Sequence, residues 1–124
     1  MNFKIAEISA AIGQVQTCMM SQHTLVAQFY DERLKPCNQL QTPDVTKPRI
    51  WHSYCVVVKD LQKSRSEMGE RGVVANAALT DWRTTPAETP FADWAYKNLL
   101  SLPIFPRMST AESKAVIEAL LTTV

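Results

Sequence analysis

The sequence predicts one α+β domain over residues 1–124, with a long N-terminal helix, a small β-sheet and three further helices. Three observations predict this class. Apolar residues recur every three or four positions in the first quarter of the chain, one β-branched and aromatic run lies in the middle, and helix-start signals mark the last third. At 124 residues and 46% hydrophobic content, the chain is long enough for one core.

The first element is predicted as a helix that ends before Pro36. Ile5, Ile8, Ile12 and Val15 step by three or four residues, which is the spacing of one helical stripe, and the rhythm resumes towards Leu34. Proline then stops the helix because it lacks the backbone amide. The polar residues at 21–23 leave two alternatives open, a single long helix or a helix broken at this interval.

The sheet is predicted around Ile50–Val58, after a loop over Lys35–Pro48 that is rich in polar residues and proline. Alternation places Tyr54 on one face and Cys55 on the other. Both faces of the strand carry apolar groups, so we expect its C-terminal end to be covered on both sides.

A short helix and a second strand should follow. Asp60 suits the N-cap of a helix that ends at about Arg71, and Gly72 stands where a left-handed residue closes a helix. Val73–Ala75 is then predicted as a short strand.

Two more helices are predicted near the C-terminus. Thr89-Pro90 begins the first of them, which carries the apolar residues Phe91, Ala92, Ala95 and Leu99, with Trp94 as a further candidate. An extended apolar run, Leu100–Phe105, separates it from the last helix. Ser109 and Glu112 form a capping box at the start of that helix, which should bury Ala115, Val116, Ala119 and Leu120.

Composition excludes several function classes. A net charge of +1 and a pI near 7.7 favour neither nucleic acid nor an acidic membrane surface as a partner. No apolar run is long enough to span a bilayer and no leader is recognisable, so a cytoplasmic protein is expected. The three cysteines form no C-x-x-C pair and the two histidines lack ligand-spaced partners, so no metal site is predicted.

Four ordered blocks resemble one protein family. Residues 2–13, Asn-Phe-Lys-Ile-Ala-Glu-Ile-Ser-Ala-Ala-Ile-Gly, are similar to the Asn-Tyr-Arg-Met-x-Glu-x-x-Ala-Ala-x-Gly stretch of the DegT/DnrJ/StrS family of pyridoxal-phosphate-dependent sugar aminotransferases. The strand at 51–58, the helix that ends at Gly72, and Leu-Ser-Leu-Pro-Ile-Phe-Pro at 100–106 resemble later family blocks in the same order.

The resemblance implies a stand-alone C-terminal small domain without the catalytic large domain. In the family, the first stretch lies downstream of the lysine that binds the cofactor, and no lysine here has that context. We therefore expect no catalytic residue, and pyridoxal phosphate only if a partner chain carries the lysine. Asn2 and Lys4 match family residues near the cofactor phosphate, and we expect that contact to be vestigial here.

One region departs from the family pattern. Where the family often has a His-Tyr pair, this chain has residues 76–83, which end in Trp82 and Arg83. These two can stack on and contact an anionic small-molecule ligand, or Trp82 can simply seal the core edge.

The favoured function is a non-catalytic binding or assembly module that forms a homodimer through the stripe of its first helix, namely Ile5, Ile8, Ile12 and Val15. The alternative is a part of a split nucleotide-sugar aminotransferase that is completed by an aminotransferase-like partner chain. A small-molecule pocket at 76–83 is a third hypothesis.

Overall fold

The computed structural model describes residues 3–79 and 88–124, with the backbone alone for residues 3–5. In chain order, the helices and strands of the described part are α1 Phe3–Leu34, β1 Tyr54–Val57, α2 Leu61–Glu70, β2 Asn76–Ala77, α3 Pro90–Asn98, β3 Leu99–Leu102 and α4 Thr110–Leu121. The predicted α+β class is confirmed.

Helix α1 is continuous over 32 residues, a length of about 48 Å at 1.5 Å per residue. The broken-helix alternative is therefore wrong. Around the polar interval at 21–23, the Ser21 hydroxyl donates to the Cys18 carbonyl (2.7 Å) and the Thr24 hydroxyl to the Met20 carbonyl (3.1 Å). Because the helix backbone itself satisfies these hydroxyl groups, the polar interval does not interrupt the helix.

The sheet has three antiparallel strands in the order β1-β3-β2. Tyr54 pairs with Leu102 and Val56 with Leu100 across the β1–β3 ladder. The strand predicted at Ile50–Val58 is therefore real but shorter, since Ile50 is exposed and only four residues pair. Trp51 is buried beside the strand, and its ring stacks on that of Tyr54 with 5.5 Å between centroids.

The second strand lies at Asn76–Ala77, so its predicted position at Val73–Ala75 is wrong. Val73 instead belongs to the end of α2, where its amide donates to the Met68 carbonyl (3.0 Å). Gly72 has a φ of 77°, the left-handed conformation predicted for it. Val73, which was predicted to begin a strand, thus helps to close a helix.

Helix α3 begins at Pro90 as predicted, but its apolar residues do not enter the core. Phe91 is 88% exposed and no residue of α3 is buried. The helix passes directly into β3, the central strand, whose Leu100 and Leu102 are buried. The apolar run at 100–105 therefore supplies core contacts that α3 does not.

Helix α4 begins with the predicted capping box. The Ser109 hydroxyl accepts from the Glu112 amide (3.1 Å) and a Glu112 carboxylate oxygen accepts from the Ser109 amide (2.7 Å). The helix packs against α1 and α2. It buries Val116, Ala119 and Leu120 as expected, whereas Ala115 is exposed because the inward face runs through Ser113 instead.

The core lies between the sheet, α2, α4 and the second half of α1. Its fully buried large side chains are Tyr30, Leu34, Tyr54, Val56, Val58, Met68, Leu100, Leu102 and Leu120.

Candidate functional site

The second half of α1 is anchored in the core. Val26, Tyr30 and Leu34 follow one another at four-residue spacing and are all buried. The Tyr30 hydroxyl donates to the Pro103 carbonyl (2.6 Å), and its ring meets that of Tyr54 edge to face at 5.3 Å. These contacts fix the direction of the helix relative to the sheet.

The two tyrosine hydroxyls in this core stay protonated. Burial, and secondarily the neighbouring Tyr54, raises the pKa of the Tyr30 hydroxyl well above its ordinary value. Burial raises the pKa of the Tyr54 hydroxyl in the same way, with a further increase from the charge of Asp31. Neither group is suited to give up a proton near neutral pH, so both rings serve in packing, and the Tyr30 hydroxyl also makes a hydrogen bond.

The first half of α1 is uncovered. Every side chain from Ala6 to Met19 is exposed. Within this segment, which we call the overhang, Ile8 is 60% exposed, Ile12 53%, Val15 54% and Met19 39%. These four residues are named the α1 stripe below. Ile5 also belongs to α1, but its side chain lies outside the described residues.

The α1 stripe lies on the same face of the helix as the anchored residues. Ile8 and Val26 are 18 positions apart, and so are Ile12 and Tyr30. Five turns of an α-helix at 3.6 residues per turn take about 18 residues, so each pair projects in one direction. A single apolar face is therefore buried at one end of α1 and open to solvent at the other.

The overhang is also poor in charge, since Glu7 is the only Asp, Glu, Lys or Arg between Ala6 and Met19. No Asp, Glu, Lys or Arg occurs from Ile8 to Tyr30. An exposed helix face normally carries charged residues, whereas depletion of charge is typical of the central part of protein interfaces. The apolar spacing was predicted from the sequence, whereas the lack of charge, which is visible from a count of charged residues along the helix, was not.

The overhang meets the rest of the protein at Gln22. The Gln22 side-chain oxygen accepts from the Arg107 amide (2.9 Å), and Arg107 itself has a φ of 62°. A left-handed conformation costs a non-glycine residue about 1 kcal/mol or more. The loop between β3 and α4 thus makes a specific polar contact at the point where α1 leaves the core.

A separate cavity of about 590 Å³ lies between the start of α2, β2 and the end of α3. Lys59, Arg65, Ala77, Leu79 and Tyr96 are among the residues that line it. Ala77 and Leu79 belong to the segment at 76–83 for which a small-molecule pocket was hypothesised. Trp82 and Arg83 lie outside the described residues, so that hypothesis stays untested.

Much of the charge around this cavity is already engaged by the protein. Lys97 forms an ion pair with Asp93 (2.9 Å), and the Arg65 Nε donates to the Ala75 carbonyl (3.2 Å). Asp60 accepts from the Lys63 amide (3.0 Å) as the N-cap of α2. The cavity therefore presents fewer groups to a ligand than its composition suggests.

The predicted cofactor contacts are not tested. Asn2 lies outside the described residues, and only the backbone of Lys4 is described. Every lysine side chain that the structure describes is exposed. Among residues 3–79 and 88–124, no group of three His, Cys, Asp or Glu side chains is arranged to hold a metal ion. None of the described helices has the length and apolar character needed to cross a membrane.

Comparison with protein families gives one match over nearly the whole chain. The model of the DegT/DnrJ/EryC1/StrS aminotransferase family matches residues 1–121. A curated relative, the dTDP-3-amino-3,6-dideoxy-alpha-D-galactopyranose transaminase of Aneurinibacillus thermoaerophilus, is 25% identical over 133 aligned residues, which cover 95% of this chain and 36% of the relative.

Solved structures show the same fold. The aminotransferase TlmJ from Streptoalloteichus hindustanus matches with a TM-score of 0.74 at 19% identity, over 94% of this chain and 36% of its own. A sugar aminotransferase from Micromonospora echinospora matches with a TM-score of 0.69 at 17% identity, over 84% of this chain and 30% of its own. The chain thus spans about a third of the length of these relatives.

Proposed function

Because the chain belongs to the DegT/DnrJ/EryC1/StrS aminotransferase family, we propose that it works as a non-catalytic assembly module of that architecture. Its contribution is an interface, formed by the α1 stripe, rather than a catalytic group. The observation that carries this proposal is the overhang, in which an apolar and uncharged helix face is exposed beside a well-packed core. Such a face is more stable when another protein surface covers it.

The absence of a catalytic role is proposed from the lysines. A lysine that holds pyridoxal phosphate as a Schiff base needs an environment that favours its neutral form, such as burial in an apolar pocket. Each described lysine is instead exposed. The chain supplies no described residue with the environment that this chemistry requires.

A cofactor-trapping experiment tests this part of the proposal. The purified chain is incubated with low micromolar pyridoxal phosphate, reduced with borohydride and analysed by peptide mass spectrometry. We expect only scattered, substoichiometric labelling of exposed lysines. A stoichiometric adduct on one lysine would show a specific site and contradict the non-catalytic proposal. Millimolar cofactor serves as the control that all exposed lysines can react.

Light scattering tests the assembly part. Since the stripe side chains are exposed and make no core contacts, replacing Ile8 and Ile12 together by glutamate should leave the fold intact. We expect the wild-type chain to associate, either with itself or with a lysine-bearing aminotransferase segment, and the double variant to lose that association. Equal behaviour of the two proteins would contradict a role for the stripe.

A second candidate function is favoured by the length of the relatives. Since the chain corresponds to about a third of each, it can act as one part of a nucleotide-sugar aminotransferase whose catalytic lysine lies on another segment. Co-expression with the remaining part of the Aneurinibacillus transaminase tests this candidate. Cofactor absorbance and transamination that depend on both parts would support it, and two parts that purify separately would contradict it.

A further inference from the structure

A four-residue turn at positions 105–108 lies between β3 and α4. The Met108 amide donates to the Phe105 carbonyl (3.3 Å), which closes a β-turn with Pro106 and Arg107 at its two central positions. Arg107 has a φ of 62°, whereas the ring of proline holds φ negative. A turn that is left-handed at its third position alone is a type II turn.

The residues of this turn favour a different type. Proline at the second position suits type I and type II equally, because the two types share the same φ there. The third position distinguishes them, since type II needs a left-handed residue, for which glycine is preferred, and type I accepts most residues at a negative φ. With Arg107 in this position, the local sequence alone predicts a type I turn.

A contact from α1 stabilises the type that the structure contains. The Gln22 side-chain oxygen accepts from the Arg107 amide at 2.9 Å. Type I and type II differ mainly in the peptide between the second and third residues, which is rotated by roughly half a turn from one type to the other. That rotation reverses the direction of the Arg107 amide, so only the type II orientation directs this amide at Gln22.

We propose that this turn is a peptide-flip switch controlled by the position of α1. While Gln22 contacts the Arg107 amide, the turn is type II. When α1 moves away at residue 22, the Pro106–Arg107 peptide rotates and the turn becomes type I. The free energy of one hydrogen bond and the cost of a left-handed arginine are of similar size, so a single contact is enough to decide between the two states.

The segments on both sides of the turn can stay in place during the flip. The hydrogen bond between the Met108 amide and the Phe105 carbonyl is common to both turn types. Before the turn, the Tyr30 hydroxyl donates to the Pro103 carbonyl (2.6 Å), and the same hydroxyl lies 3.6 Å from the Met108 sulfur. After the turn, Ser109 caps α4. The rotation is therefore confined to one peptide group.

The flip exchanges the polar group that the turn directs away from α1. The Pro106–Arg107 peptide is trans, so its carbonyl and its amide point in opposite directions. While the amide faces Gln22, the Pro106 carbonyl faces away from α1, and after the flip the amide faces away instead. The position of α1 next to the overhang thus determines whether this exposed turn offers a hydrogen-bond acceptor or a donor.

Nuclear Overhauser spectroscopy of Gln22→Ala tests the switch, with Gln28→Ala as the matched change at an exposed position of the same helix. In a type II turn the Arg107 amide hydrogen lies close to the Pro106 α-hydrogen, and in type I the two are farther apart. We expect a strong cross-peak between them in the wild type and in Gln28→Ala. In Gln22→Ala it should be about tenfold weaker, since its intensity falls with the sixth power of the distance.

A second variant separates a flip from a general loss of order. Adding Arg107→Gly to Gln22→Ala should restore the cross-peak, because glycine adopts the left-handed conformation without strain. The Met108 amide should stay protected from hydrogen exchange in all variants, since its bond is common to both turn types. An undiminished cross-peak in Gln22→Ala would overturn the proposal, and so would failure of Arg107→Gly to restore it. Loss of Met108 protection in Gln22→Ala would show that the loop unfolds rather than flips, which also overturns it.

Discussion

The two halves of α1 share one apolar face and have opposite surroundings. Around Tyr30 the face is buried against the sheet and α4, whereas around Ile12 it is exposed. The residues of the two halves are similar in hydrophobicity and spacing. Periodicity therefore identifies the apolar face of a helix. Whether that face is buried depends on the elements that pack against it, and the sequence of the helix itself does not reveal them.

The largest expected effect is a difference between the two halves of α1 in how much a substitution lowers the free energy of unfolding. Tyr30→Ala removes a buried ring and the hydrogen bond to Pro103, so the free energy of unfolding should fall by about 3–5 kcal/mol. Ile12→Ala, the matched change in the overhang, should alter it by no more than about 0.5 kcal/mol at a concentration where the chain is dissociated. Urea denaturation measures both. A large loss with Ile12→Ala would mean that the overhang is part of the core.

Helix α4 covers the anchored half of α1. Removing the N-cap of α4 should therefore destabilise the anchored half and leave the overhang unchanged. Ser109→Ala removes the hydroxyl that accepts from the Glu112 amide, and the expected loss of stability is about 1 kcal/mol. Denaturation followed by tryptophan fluorescence reports it, because Trp51 is buried in the core. An unchanged midpoint would show that water replaces the cap without cost.

A gain of at most that size is expected from Gly13→Ala in the overhang. Gly13 lies inside the helix, and a Cβ added there meets no atom within 4 Å beyond the neighbouring residues and the backbone of the helix itself. Since alanine favours the helix over glycine by about 1 kcal/mol, local opening around residue 13 should become rarer. Hydrogen exchange should show slower exchange near residue 13 and no change in the anchored half. Slower exchange in both halves would mean that they unfold as one unit.

The smallest expected effect is a pH dependence at the start of α4. Hydrogen bonds from the Ser109 amide and hydroxyl lower the pKa of Glu112 below its ordinary value of 4.5. A carboxylate with a lowered pKa in the folded state contributes stability above that ordinary value, and this contribution is lost as the pH falls. Between about pH 5 and pH 3 the wild type should therefore lose more stability than Glu112→Gln. Parallel titration curves for the two proteins would contradict this.

Local signals predicted most of the fold. The caps at Asp60 and Ser109, the left-handed Gly72 and the helix start at Pro90 each depend on a few neighbouring residues, and all four are confirmed. The predictions were wrong where contacts between distant parts of the chain determine whether a residue lies in a helix, in the sheet or in the core. Val73 closes a helix rather than entering the sheet, and Phe91 is exposed because the neighbouring strand takes the core position.

The candidate site was predicted in part. Ile8, Ile12 and Val15 were identified from spacing, and the structure places all three on one exposed face. The sequence could not establish that the same face is buried from Val26 onward, since that requires the positions of the sheet and α4. Asn2, Trp82 and Arg83 remain predictions because they lie outside the described residues.

Sedimentation equilibrium tests the central claim, that the α1 stripe is an interface. The wild-type chain is compared with Ile8→Glu/Ile12→Glu and with Ala10→Glu/Gln14→Glu, which places the same two charges at the same spacing on the opposite face, which is also exposed. We expect the wild type and the Ala10/Gln14 control to associate as concentration rises and the Ile8/Ile12 variant to stay monomeric with unchanged unfolding. A wild type that stays monomeric, both alone and mixed with a lysine-bearing aminotransferase segment, would contradict the claim.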